Sequence, residues 1–206
     1  MKRSLWMVVL ALALPMSAFA FKSVYFGNTG GTLSGTSAGL NLTGSELAVV
    51  NGLEPLHGLG QVTGDLGELS LSTGGLLSGS LQTGGVFEGG TLTITGNGER
   101  GIPNGTIFAG TFSGPVRWTM ITLADGTHAY TLSSPLTGTW YTGAAGSGAT
   151  VQLTVNTGTA FFGGSAALAR GDATISAAPA EKASLPLLGT GLIAIAGLLL
   201  GRLRAA

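Results

Sequence analysis

Short apolar or alternating runs recur along most of the chain, at residues 40–43, 47–50, 66–71, 76–81, 91–95, 106–112, 116–123, 127–132, 136–141, 149–155, 160–166 and 173–176. Gly-Gly, Asn-Gly, Asp-Gly and Gly-Pro pairs stand between them. Strands spaced about eight to twelve residues apart with glycine turns indicate an all-β sandwich or barrel, and the pattern predicts a glycine-rich β-sandwich. A local repeat, Leu71-Ser72-Thr73-Gly74-Gly75 and Leu81-Gln82-Thr83-Gly84-Gly85, offers a β-solenoid as the alternative. Two copies are few for a solenoid, which needs several stacked rungs.

The clearest hairpin joins residues 116–124 to 127–132 through Asp125-Gly126. A two-residue loop of this type takes the positive φ values of a type I′ turn. It would set Leu123 opposite His128, Ile121 opposite Tyr130 and Thr119 opposite Leu132 on one face, the expected core face. Trp118 and Met120 would then lie on the other side of the sheet.

The two ends follow a different pattern. Lys2 and Arg3 precede an apolar stretch over residues 5–16, and Ala18-Phe19-Ala20 closes it, the layout of a secretory signal helix cut after Ala20. Residues 185–201 form an uncharged apolar run followed by Arg202 and Arg204. As a helix it would cover roughly 25 Å, at the short end of the membrane-spanning range. The arginines would stay cytoplasmic, leaving the body on the far side. The expected organisation is a signal peptide over 1–20, an all-β extracytoplasmic domain over 21–177, a linker over 178–184 and a hydrophobic C-terminal helix over 185–206.

Composition narrows the possibilities for the body. Between Phe21 and Ser184 five basic residues face nine acidic ones, a net charge of −4, and such a surface does not suit nucleic acid. The chain has no cysteine, so disulfides and thiol chemistry are excluded. Glycine is 37 of 206 residues without a three-residue period, which rules out a collagen-like chain. Low charge with many Val, Ile, Leu and Thr argues for a folded domain rather than disorder.

The tail carries a family resemblance. Ala180-Glu181-Lys182-Ala183-Ser184-Leu185, the apolar run and the arginine pair resemble the PEP-CTERM sorting signal. Glu181, Ser184, Leu185, Arg202 and Arg204 match it, whereas Ala180 and Lys182 stand where that family has proline. The N-terminal pattern makes signal peptidase a processing partner, reading Ala18 and Ala20, and the resemblance implies an exosortase-type enzyme at the tail. It further implies membrane attachment through the helix and release to the cell surface or an exopolysaccharide matrix. The body is similar to glycine-rich exported proteins with such tails, a likeness that implies no activity.

Candidate chemistry is sparse. Gly96-Asn97-Gly98-Glu99-Arg100-Gly101 fits a dinucleotide fingerprint, but Ile102-Pro103-Asn104-Gly105 follows it as a turn, where a phosphate site needs a helix. Gly35-Thr36-Ser37-Ala38-Gly39 fits a hydrolase elbow, with Asp65 and His128 in hydrolase order, yet no strand-to-helix turn is expected there. His57 and His128 give no zinc spacing. The carboxylates Glu54, Asp65, Glu68, Glu88, Glu99 and Asp125 are scattered. Trp118, Trp140 and Tyr141 would form a stacking platform for sugar rings if exposed together, although core packing is the commoner role of tryptophan in a sandwich.

These observations point to an exported surface or matrix structural protein without catalytic residues, cofactor or metal. The alternative is a carbohydrate-binding module using the aromatics. A hydrolase comes third.

Overall fold

A computed structural model describes residues 22–53 and 60–177, and every regular element among them is a β-strand. The strands form eight long staves. The first is β1 (Lys22–Thr29) with β2 (Thr32–Thr36), and the second is β3 (Gly39–Asn51). The third contains β4 (Gln61–Thr63), β5 (Gly67–Thr73) and β6 (Leu76–Ser80); the fourth contains β7 (Gly84–Phe87) and β8 (Gly90–Asn97). β9 (Asn104–Phe112) and β10 (Val116–Thr122) make the fifth. β11 (His128–Trp140), β12 (Ala145–Asn156) and β13 (Ser165–Ala177) complete the set.

Each stave pairs antiparallel with the next in sequence, and β13 returns to pair with β1, Lys22 opposite Ala177 and Phe26 opposite Ala173. The body is therefore a closed eight-stranded up-and-down barrel, neither the sandwich nor the solenoid expected from the sequence. The two copies of the local repeat are not rungs. Gly74-Gly75 interrupts one stave, whereas Gly84-Gly85 opens the antiparallel neighbour. The expected terminal helices lie outside the described residues.

Several staves break without losing register. β1 and β2 meet β13 in one continuous register across Gly30 and Gly31. A side chain at Gly31 would lie 2.6 Å from the Ser45 backbone nitrogen, and φ there is +79°, so glycine is required. The wall kinks here and closure is kept.

The alternation of the sequence resolves into inside and outside. Leu33, Leu42, Leu47, Leu69, Leu92, Ile94, Leu132, Leu153, Val155 and Ile175 fill the interior, while Thr, Ser, Asn and Gln cover much of the outer wall. A barrel facing hydrocarbon has the opposite polarity, apolar outside and polar within. Burial of this interior is the main stabilising term.

Two aromatic clusters close the ends. Near the rim where Lys22 and Ala177 emerge, Trp140 packs against Phe26 and Phe108, with ring centroids 6.0 and 5.2 Å away. At the other rim Trp118 stacks on Tyr130 at 4.9 Å, and Phe162 from the loop at 157–164 packs edge-on against Trp118 at 5.3 Å. Polar ends of these rings fasten the turns: Trp118 Nε1 donates to Leu81 O at 2.8 Å and the Tyr130 hydroxyl donates to Gln82 O at 2.6 Å. The same hydroxyl accepts from Phe162 N at 3.0 Å, which seats the loop in the barrel mouth.

The hairpin expected around Asp125-Gly126 exists with a different register. Trp118 pairs with Leu132, Met120 with Tyr130 and Thr122 with His128. Leu123 N donates to Thr127 O, and Gly126 takes φ +80°. The loop is thus three residues, 124–126, a turn closed by a left-handed glycine. That one extra residue turns the side chains of β10 over, while Tyr130 and Leu132 of β11 keep the inward face expected of them. Trp118, Tyr130 and Leu132 point inward, and Ile121 and Leu123 are left exposed.

Candidate functional site

The sequence motifs are not assembled into a catalytic site. Gly35-Thr36-Ser37-Ala38-Gly39 runs from the end of β2 through the turn into β3. His128 begins β11 at the same rim as Ser37, but Asp65 lies in the break between β4 and β5, toward the opposite rim. The segment over 96–101 is the end of β8 and its loop to β9, held by Ile102 N donating to Glu99 O. No helix follows it, so it lacks a phosphate-binding N-terminus. His57 lies outside the described residues, and His128 stacks on Phe161 with centroids 4.7 Å apart. No group of three potential metal ligands occurs among the described residues.

The aromatic platform is dismantled by the inverted register and by barrel closure. Trp118 is 1% exposed and Trp140 5% exposed, in the two different end clusters, so that of the three rings Tyr141 is the exposed one. Glu181, Ser184, Leu185, Arg202 and Arg204, with Ala18 and Ala20, lie outside the described residues.

What the fold does build is a groove of about 480 Å³ on the outer wall. Its cause is the break between β9 and β10 at residues 113–115. β11 pairs with β10 up to Ser133 and with β9 from Leu136, so Ser134 and Pro135 face the gap. Proline in the middle of a sheet removes a ladder hydrogen bond, and this gap is where its loss is least costly. Pro135 O still accepts from Ser113 N at 3.1 Å, and the buried Ser134 hydroxyl lies 3.2 Å from the same carbonyl.

One row of paired residues crosses the groove. Arg117 stands opposite Ser133, Ser133 opposite Gln152, and Gln152 opposite Asp172. Pro115, Pro135, Thr150 and Thr174 flank the row. At its far end Asp172 accepts a short hydrogen bond from the Tyr25 hydroxyl and pairs with Arg170 at 3.3 Å. Hydrogen bonding to Asp172, reinforced by burial, raises the Tyr25 phenol above its ordinary value. Arg100 donates to Thr63 O and Arg170 to Tyr25 and Asp172, whereas among the described residues no hydrogen bond or ion pair holds the Arg117 guanidinium. The residues of this row fall far apart in sequence and are brought together by strand register, the Arg117–Ser133 step through the three-residue hairpin loop and the others through the β11–β12 and β12–β13 pairings.

Comparison of the chain with protein-family models, curated proteins and solved structures finds no match.

Proposed function

We propose that the chain is an exported, non-catalytic structural protein of the cell surface or extracellular matrix, its barrel displayed outside the cytoplasm by the C-terminal tail. The observation that carries this reading is the seam. Lys22 and Ala177 pair on one rim, so the chain leaves the barrel at both ends from the same side. A body attached there presents its whole polar wall and its opposite rim to the surroundings.

The processing partners in this reading are signal peptidase acting after Ala20 and an exosortase-type enzyme acting near Glu181, with the apolar run over 185–201 engaging the membrane. Deleting residues 185–206 removes the only long apolar run left after signal cleavage. The truncated protein is expected in periplasm or medium, while the full chain sediments with membranes or reaches the surface. Truncated protein that still pellets with membranes after a high-salt wash would refute the tail as anchor.

A further inference from the structure

We infer that the outer-wall groove along Arg117, Ser133, Gln152 and Asp172 is a binding site for an extended, carboxylate-bearing saccharide.

The groove carries polar side chains without protein partners among the described residues. Five side chains lining one groove, those of Arg117, Ser133, Thr150, Gln152 and Thr174, make no hydrogen bond within the described protein. Of the three arginines in the described residues, Arg117 is the one without a partner. On a body with net negative charge, an unpartnered guanidinium in a concavity calls for an anion. The planar, two-pronged donor geometry of arginine fits a carboxylate.

The rest of the floor selects what carries that carboxylate. Hydroxyls and the Gln152 amide offer both donors and acceptors, which match alcohol groups, and the exposed Pro115 and Pro135 rings offer apolar faces for the C–H side of a sugar ring. The row from Arg117 to Asp172 spans three inter-strand steps, roughly 14 Å, the length of a short oligosaccharide segment. An added peptide strand would need an open main-chain edge; at the groove β11 pairs with β12 and β12 with β13, and on the gap side Pro135 has no N–H and its carbonyl already accepts from Ser113 N. A polyphosphate or nucleic acid would need several cations where there is one.

A second feature points to the same place. Pro135 within a central strand departs from regular sheet construction. Such departures are expected where function requires them.

Binding here does not depend on where the barrel is displayed, so deletion of residues 185–206 should leave it unchanged. The test is calorimetric titration of the full chain with trigalacturonate and, in parallel, with neutral maltotriose and with acetate. Trigalacturonate is expected to bind more tightly than either. Arg117→Gln should weaken trigalacturonate about tenfold, the effect of losing one charge-assisted pair, and leave maltotriose unchanged. Gln152→Ala should weaken both sugars several-fold. Both side chains are exposed, so unchanged melting temperatures will show that the variants are folded. Absence of trigalacturonate binding at millimolar concentration, binding indifferent to both substitutions, or acetate binding as tightly as the trisaccharide would each overturn the assignment.

Discussion

Phe108 is a sensitive point of the barrel, because Gly110 on its own strand, Gly138 on β11 and Gly146 on β12 leave their space to its ring. Methyl groups added at Gly110 and Gly146 would lie 2.6 and 2.7 Å from Phe108 ring carbons, and one at Gly138 would lie 2.5 Å away. The side chain is fully buried and packs edge-on against Trp140. Phe108→Ala removes the ring and opens a hole lined in part by glycines, which have no side chain to move into it. The cost should fall at the upper end of the usual range for such a truncation, about 4–5 kcal/mol. At about 2–4 °C per kcal/mol for a body of this size, melting should drop by on the order of 10 °C or more. Gly146→Ala overpacks the same space from the other side and should cost about 1–3 kcal/mol. The clash at Gly146 is with side chains only, Phe108, Trp140 and Ile175. The double variant should therefore be more stable than the two losses added together, by at least 1 kcal/mol, a coupling typical of residues in contact. Urea unfolding followed by tryptophan fluorescence measures all four proteins. A loss below about 1 kcal/mol for Phe108→Ala, or additivity in the cycle, would refute the filled lower barrel.

Further outcomes follow from the seam and from the β10–β11 turn. The Ser23 and Ser176 hydroxyl oxygens lie 3.2 Å apart across the β1–β13 junction, so the double variant Ser23→Cys with Ser176→Cys should oxidise to a single intramolecular disulfide. Closing so long a loop should add about 4 kcal/mol or less of stability; free thiols by mass spectrometry after oxidation would contradict closure. Asp125 accepts from Thr127 Oγ1 at 2.7 Å and from Thr127 N at 3.0 Å, and these bonds, the hydroxyl first, hold its carboxyl below the ordinary value. The stability it contributes is present above the unfolded carboxylate pKa and is lost as pH falls through the lower folded one. Asp125→Asn should therefore be less stable than the parent at neutral pH and match it in strong acid, as read from melting temperature against pH.

Strand content was legible in the sequence because alternation and glycine turns are local signals. Most of the runs from 40–43 to 173–176 fall on strands. The first stave escaped notice because Gly27, Gly30, Gly31 and Gly35 interrupt its apolar residues Val24, Phe26 and Leu33. The run over 160–166 reads as a strand, but most of it is the loop whose Phe162 plugs the mouth. Closure itself has no local signature, since it depends on β1 meeting β13 across the length of the body. The hairpin register was misread by one residue, because Asp125-Gly126 fits both a two-residue loop and a three-residue loop ending in a left-handed glycine. That single residue decided whether Trp118 formed part of a surface platform or of the core. It equally decided which side chains share the outer groove with Arg117.

In the proposed function this barrel is carried to the outside of the cell and held there by its tail. Fractionation of cells expressing the full chain, with mass mapping of both termini in each fraction, tests it most directly. The protein should begin at Phe21 and be found outside the cytoplasm, either membrane-bound with Arg202 and Arg204 retained or released with a new C-terminus near Glu181. Protein that begins at Met1 and resides in the cytoplasmic fraction would contradict it.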